Sequence, residues 1–143
     1  MNAFSLSSIS DQLPNGFHDA ELKFLAVDMA LHVAIVEGEA WVAEDGPPEV
    51  YRPFRLTLSG LHSMVLPDRP EFCGLGDKWQ RTFDEVPSFD GYMGPPGVTN
   101  QSEESIKQGP EPYTFYFFSW DDCIVVQAEN AELVWQGVAY ERK

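Results

Sequence analysis

The residues best suited to chemistry in this chain are an adjacent histidine and aspartate, His18 and Asp19. They follow the turn-forming run Pro14-Asn15-Gly16 and stand directly before an apolar segment, so both side chains are expected at a defined corner of the fold. An imidazole beside a carboxylate can transfer protons or bind a metal. The aspartate can instead accept backbone hydrogen bonds where the strand begins. The structural role is the favoured interpretation, and no metal site is predicted.

A second candidate group consists of Tyr51, Arg52 and Arg55. Arginines on the exposed face of a strand can hold an anionic ligand through paired hydrogen bonds. Because the chain has nine Lys or Arg against 23 Asp or Glu, pairing with surface acids of an adjacent strand is the simpler expectation. The remaining histidines, His32 and His62, are expected to have structural roles.

No catalytic motif is visible in the sequence. It contains no GxSxG, no glycine-rich phosphate loop, no HExxH and no zinc-type spacing of Cys and His. Its two cysteines, Cys73 and Cys123, fit no metal or redox pattern and are expected to be reduced, with Cys123 the less reactive. Neither a signal peptide nor an apolar stretch of roughly 18 residues is present. We therefore expect a cytoplasmic protein without a cofactor, more readily a binding protein than an enzyme.

The formal net charge is −14 at pH 7. A field of this sign repels phosphate backbones and anionic lipids, so binding to nucleic acid or to a membrane is not expected. The same field would steer association with a basic protein partner. A generic acidic surface that favours solubility is the simpler interpretation of the charge.

The elements that must position these residues are mainly strands. Phe54, Leu56 and Leu58 alternate with polar residues, which indicates a strand with one buried face. Gly38 interrupts another run, either as a bulge in one long strand, which we favour, or as a hairpin turn. Further strands are expected at Glu21–Val27, Leu31–Ala43, Tyr113–Phe118, Cys123–Glu129 and Glu132–Tyr140. The sequence therefore predicts one all-β domain with short helices over residues 1–143. Its expected form is an antiparallel β-sandwich or partly open barrel of six to eight strands.

The segment from Pro67 to Pro112 holds seven of the eleven prolines and is expected to be an irregular, Pro/Gly-rich insertion. Its apolar spacing predicts an amphipathic helix over Trp79–Val86, and its turn residues predict a loop over Ser88–Asn100. Short helical pieces are also expected around Leu6–Leu13 and Ser102–Gln108. Loops carry binding residues more often than the strands that hold them, so Tyr92 is the best contact candidate in this segment.

The opening Leu13–Leu22, LPNGFHDAEL, is followed by Tyr51-Arg52 and by the strand Leu56–Leu61, LTLSGL. These runs resemble a group of small, functionally uncharacterised bacterial β-proteins with an LPxGFHDAxL opening and a YR…LxxxGL strand. A C-terminal strand pair of that group is similar to Ile124–Gly137. The resemblance covers both ends of the chain but not Pro67–Pro112. It implies the fold and transfers no activity, although some members look comparable to toxin-immunity proteins.

Two classes of function stay open. The first is a non-enzymatic acidic interaction protein, of immunity or regulatory type, that binds a basic surface. The alternative is a small-molecule-binding β-barrel or sandwich, with or without weak hydrolytic activity. A metal-dependent enzyme using His18 and Asp19 is a third hypothesis. The residues expected to bind a ligand or partner are His18, Asp19, Arg52, Arg55 and Tyr92.

Overall fold

The computed structural model describes Ile9 and residues 13–43, 49–72, 74–93 and 110–142. Ile9 is α-helical, as the sequence predicts for its segment, and the regular structure of the other described residues consists of strands and a 3₁₀ turn at Pro70–Phe72. No helix of the described residues is long and apolar enough to cross a membrane. The strands are β1 Pro14–Phe17, β2 Ala20–Asp28, β3 Val33–Trp41, β4 Glu49–Val65, β5 Lys78–Thr82, β6 Ser88–Met93, β7 Tyr113–Phe117, β8 Asp122–Trp135 and β9 Tyr140–Arg142.

Six of the strands close into an antiparallel barrel. Neighbours follow the order β3, β2, β6, β7, β8 and β4, and the pairing of β4 with β3 completes the ring. Strand β5 adds to β2, β9 adds to β4, and β1 lies against β6 and β3. The predicted all-β antiparallel fold is confirmed, and it takes the form of a barrel, which leaves few strand edges exposed.

The interior of the barrel is filled by side chains. On β4 the residues Phe54, Leu56 and Leu58 are buried while Arg55 is exposed, as their alternation predicts. Phe17 and Phe89 pack among them with ring centroids 5.8 Å apart. Among the described residues, an apolar cavity of about 10 Å³ lies between side chains that include Leu22, Val36 and Phe117. A space of that size holds no ligand.

Gly38 lies within one continuous strand, β3, and the hairpin alternative at this position is wrong. The irregularity falls on the partner strand instead. Leu22 lies opposite Gly38 and Phe24 lies opposite Glu37, so Lys23 is an extra residue in β2. This is a β-bulge, which bends the strand and increases its twist. The glycine opposite it allows the backbone of β2 to approach closely.

Two predictions for the segment from Pro67 to Pro112 are wrong. The helix expected over Trp79–Val86 is absent, because Trp79–Thr82 belong to strand β5, which pairs with Phe24–Asp28 of β2. Ser88–Met93, expected in a loop, is strand β6 of the barrel. In both cases backbone pairing with a distant strand outweighs the local pattern. Residues 94–100 of the expected loop and the expected turn at 102–108 lie outside the described residues.

The C-terminal strands also differ from the prediction. The sequence predicts two strands, Cys123–Glu129 and Glu132–Tyr140, with a turn at Asn130 between them. Asn130 instead lies inside the single long strand β8, opposite Ser59 of β4. The final strand β9 is short and begins at Tyr140. The expected N-terminal helix falls mostly outside the described residues, although Ile9 from that segment is fully buried.

Candidate functional site

His18 and Asp19 form the turn between β1 and β2, as expected. Asp19 has a left-handed backbone with φ of 54°, a conformation that aspartate adopts more readily than most residues. Its backbone N–H donates to Oδ1 of Asp90 at 3.0 Å, and Nδ1 of His18 lies 3.0 Å from the same oxygen. The carboxylate that caps this corner therefore belongs to Asp90 on β6, not to Asp19.

The ring of His18 bridges two carboxylates, because its Nε2 also lies 3.4 Å from Oδ2 of Asp19. His18, Asp19 and Asp90 offer ligand atoms within 4.8 Å of one another, a donor set that can meet a cation. Both ring nitrogens are already engaged by carboxylates, and the His18 side chain is 57% exposed. The group is thus a self-contained, hydrogen-bonded corner, and we assign no metal to it.

Strand β6, which holds Asp90, places this corner on the outer surface of the barrel. Along the strand Phe89 is buried, whereas Asp90 and Tyr92 point outward and Tyr92 is 40% exposed. Asp90 lies opposite Tyr116 of β7, so Tyr92 and Tyr116 are diagonal neighbours on the same face. The prediction that Tyr92 is exposed is confirmed, but a strand holds it and not a loop.

Strand β7 and the turn after it extend the surface. The hydroxyl of Tyr116 donates to Oδ1 of Asp121 at 2.7 Å, and this hydrogen bond raises the pKa of Tyr116. The ring of Tyr116 meets that of Phe118 edge-on, with centroids 5.5 Å apart. Phe118 is itself 45% exposed. A half-buried ring and an exposed ring therefore lie beside a carboxylate.

We call this surface the β6–β7 face, and its members are His18, Asp19, Asp90, Tyr92, Tyr116, Phe118 and Asp121. It combines three carboxylates with three partly or fully exposed aromatic side chains. The basic group of the face, His18, lies between the carboxylates of Asp19 and Asp90. At its margin the ring of His18 lies 5.9 Å from that of Trp41 on β3. The face is therefore both acidic and apolar.

The two candidate arginines do not join this face or each other. Arg55 pairs with Glu37 of the adjacent strand at 3.1 Å, as the simpler expectation for it predicts. Arg52 lies three positions away, on the opposite side of β4. It donates to the backbone oxygen of Gly137 at 2.9 Å and stacks 4.5 Å above the ring of Trp135. The idea of a joint anion site at Arg52 and Arg55 is wrong, because the alternation of β4 separates them.

The other two histidines make structural contacts. His32 occupies the β2–β3 turn with φ of 55°, where its Nδ1 lies 3.1 Å from the backbone oxygen of Leu61. The sequence favours a packed, hydrogen-bonded histidine in the core or at its boundary; the hydrogen-bond contact is present, but the side chain is exposed. His62 lies 3.2 Å from a carboxylate oxygen of Glu129 on β8. The three histidines therefore lie in separate parts of the fold.

The Cys123 thiol is partly buried at the start of β8. Burial, followed by the charge of Asp122, raises its pKa. A raised pKa keeps the group as a thiol at neutral pH, and thiols are poor nucleophiles. Its reactivity relative to Cys73 stays a prediction, because Cys73 lies outside the described residues.

Asp90, Tyr116 and Phe118 are not among the site residues that the sequence predicts. A signal for Asp90 was present, because Ser88-Phe89-Asp90-Gly91-Tyr92 alternates as a strand does. The turn residues around it favoured a loop and hid that alternation. The likeness of Leu13–Leu22 to small bacterial β-proteins stays a prediction. No protein family, curated protein or solved structure matches the chain.

Proposed function

We propose that this protein is a non-enzymatic, cytoplasmic interaction protein that binds the basic surface of a partner, in the manner of an immunity or regulatory protein. The β6–β7 face is the contact surface of the proposal. The observation that carries it is the exposure of Tyr92 on β6 and of Phe118 in the turn after β7, among carboxylates.

Exposed aromatic side chains supply much of the energy of protein interfaces. Tyrosine and tryptophan are enriched among the residues whose loss weakens binding most, especially where surrounding contacts exclude water. Tyr92 is held by the pairing of β6 with β7, so little conformational entropy would be lost when a partner covers it. The face thus offers preformed apolar contacts at its centre.

The carboxylates of the face determine which partners it can bind. Asp19, Asp90 and Asp121 surround the aromatic side chains, and the net charge of −14 adds a long-range attraction for a basic surface. Interactions of this kind raise association rates and weaken as salt screens them. The proposed partner therefore presents Lys or Arg around an apolar centre.

A fluorescein-labelled peptide of alternating arginine and tryptophan is a suitable probe of the face. Joint replacement of Tyr92→Ala and Phe118→Ala is expected to weaken its binding about tenfold or more, because interface aromatics typically contribute about 2 kcal/mol. Fluorescence anisotropy at low and moderate salt measures the change. Both side chains are exposed, so the fold is expected to tolerate their loss.

The matched control is Val86→Ala with Val138→Ala, since these apolar side chains are 38% and 80% exposed elsewhere on the surface. The control pair is expected to bind the probe as the natural chain does. Equal weakening by both pairs would show non-specific adsorption. Chemical shift changes spread evenly over the barrel, with none centred on Tyr92, would also contradict the proposal.

A groove on the outside of the barrel favours small-molecule binding as a second candidate function. It lies between β2, β3 and β5 and has a volume of about 510 Å³, within the usual range for ligand sites. Its lining is mostly apolar, with Lys78 3.7 Å from Asp28 at its side. The lining includes Ala26, Leu31, Val33, Ile35 and Trp79. A small apolar molecule is the ligand that this chemistry suits.

Filling the groove tests that candidate. Ala26→Trp would place a large ring in it and is expected to reduce binding of anilinonaphthalene sulfonate, a fluorescent apolar probe, at least about tenfold. Val134→Trp adds the same ring at a position that is 45% exposed on another strand and is the control. Probe binding that persists in Ala26→Trp would remove the groove as a candidate.

A further inference from the structure

A cluster of charged side chains anchors β9 to the outer surface of the barrel. At its centre is Glu39 of β3, which is only 3% exposed. Its carboxylate accepts hydrogen bonds from Arg142 at 2.6 Å, from Lys23 at 2.8 Å and from the hydroxyl of Tyr140. A buried carboxylate with three donors is fully engaged, and Arg142 of β9 is the donor that reaches it from the end of the chain.

The guanidinium of Arg142 is recognised on several sides. Its two terminal nitrogens donate to the two carboxylate oxygens of Glu21, at 2.7 and 2.6 Å. The same group lies 3.7 Å from the centre of the Tyr51 ring. Paired hydrogen bonds together with stacking on an aromatic ring suit the flat guanidinium and not the compact ammonium of lysine. We call Glu21, Glu39 and Tyr51 the guanidinium cage.

The electrostatics of the cage require a cation. Burial alone would raise the pKa of Glu39. Hydrogen bonds from Lys23, Tyr140 and Arg142, together with the charge of Lys23, outweigh burial. The pKa of Glu39 is therefore below its usual value. The ionised carboxylate therefore stabilises the fold at neutral pH, and that contribution is lost as the pH falls through the lowered pKa. Without Arg142 one of the two cage carboxylates would lack its cation.

Strand β9 itself is only weakly attached. It spans three residues, pairs with Glu49–Tyr51 of β4, and has no buried apolar side chain. Residues 136–139, which lead into it, are all exposed, and Tyr140 is 39% exposed. Little hydrophobic burial therefore opposes its release, and short elements of this kind open at low free energy. Its attachments are the contacts of Arg142, the hydrogen bond from Tyr140 to Glu39 and the backbone pairing with β4.

We propose that the guanidinium cage is a binding site for arginine, which β9 fills from within the chain, and that an arginine on an extended segment of a partner can take the place of Arg142. The partner segment would also pair with the backbone of β4 that β9 now covers, as strands do in β-augmentation. In this arrangement β9 is a competitor that the partner must displace.

This inference goes beyond the β6–β7 face and does not depend on it. The cage lies on β2, β3 and β4, and its recognition of arginine rests on contacts already made by Arg142. The alternative occupant with the same charge is lysine, whose ammonium cannot donate to both oxygens of Glu21 in the forked geometry. Discrimination between arginine and lysine is therefore the measurable property of the site.

Chemical rescue of Arg142→Ala tests the cage in the whole chain. The variant vacates the guanidinium position, and its thermal midpoint is expected to fall. Ethylguanidinium chloride, at about ten times its dissociation constant, is expected to shift the folding equilibrium back roughly tenfold. Ethylammonium chloride at the same concentration is expected to give no comparable shift. If Arg142→Ala does not fold, recovery of native circular dichroism on addition of ethylguanidinium is the readout instead.

Arg55→Ala is the matched control, because Arg55 also pairs with a glutamate of β3, on an exposed surface where no aromatic ring of the described residues stacks on it. No rescue by ethylguanidinium is expected for it, nor for Glu39→Gln combined with Arg142→Ala. Rescue of Arg142→Ala should be unchanged by Tyr92→Ala, so failure of the cage and failure of the β6–β7 face are distinguishable.

Competition by β9 is tested with the tripeptide acetyl-Tyr-Glu-Arg-amide, which copies β9. It is expected to bind Arg142→Ala at least tenfold more tightly than the natural chain, and the Tyr-Glu-Lys analogue is expected to bind at least tenfold more weakly than the arginine peptide. Titration followed by amide chemical shifts of β4 measures both. Equal binding of the two peptides, or no rescue of Arg142→Ala by ethylguanidinium, would overturn the inference.

Discussion

Replacing Gly38 with alanine is expected to destabilise the protein by at least about 3 kcal/mol, the upper range for overpacking a well-packed site. A Cβ atom at this position would lie 2.0 Å from the backbone oxygen of Glu21 and 3.1 Å from its carbonyl carbon. Neither atom belongs to a flexible side chain, so β2 would have to move away from β3. That movement would break the bulge at Lys23 and displace Glu21 and Glu39 of the guanidinium cage.

Gly76→Ala provides the control for Gly38→Ala. No atom lies within 4 Å of a Cβ atom at Gly76, and its backbone is outside the left-handed region. Its substitution is expected to be neutral or to stabilise by up to about 1 kcal/mol, since alanine restricts the unfolded chain. Urea unfolding followed by tryptophan fluorescence measures both variants. A midpoint of Gly38→Ala close to that of the natural chain would mean that the approach of β2 is not tight.

The sequence predicts those parts of the fold whose pattern is local. Phe54, Leu56 and Leu58 alternate with polar neighbours along β4, and the strand alternates between buried and exposed in the same way. Gly38 between two glutamates was correctly assigned to a long strand, because the apolar residues continue on both sides of it. Period-two burial is a property of the strand itself and needs no knowledge of its neighbours.

Elements that depend on a distant partner could not be predicted. The spacing of Trp79 and Phe83 fits a helix, yet Trp79 lies in β5 opposite Val27 of β2. Asn130 resembles a turn residue, but β4 extends far enough to pair with β8 from Val125 to Trp135. In both places the local preference amounts to a few tenths of a kcal/mol per residue, and sheet pairing exceeds it.

In the candidate site, too, some residues follow from a local pattern and others depend on distant parts of the chain. His18 and Asp19 were identified because a polar pair after a Pro-Asn-Gly run marks a corner. Asp90, which holds that corner, is 72 positions from His18 in the chain. Arg142 is likewise 121 positions from Glu21. Contacts of such long range arise when the barrel closes, so a single sequence contains no local pattern that reports them.

Replacing Phe17 with alanine is expected to cost about 3–5 kcal/mol, the usual loss for a fully buried phenylalanine. Phe17 is 1% exposed, and its ring centroid lies 5.7 Å from those of both Phe54 and Phe115. The side chain reaches this position from β1, beside the barrel strands, and its ring packs so near Gly91 that a Cβ there would lie 2.8 Å from it. The loss is a large fraction of the roughly 5–15 kcal/mol that stabilise a domain.

Phe17 also fixes the corner that opens the β6–β7 face, because His18 is the next residue. In Phe17→Ala the amide of Asp19 is therefore expected to exchange its hydrogen at least about tenfold faster, since its bond to Asp90 depends on the position of this turn. Phe118→Ala, which removes a ring that is 45% exposed, is the stability control and is expected to cost under about 0.5 kcal/mol. If Phe17→Ala unfolds at the same urea concentration as Phe118→Ala, Phe17 cannot be the buried anchor of β1. The corner would then be held by Asp90 and by Asn15, whose side chain donates to the backbone oxygens of Trp41 and Ala43.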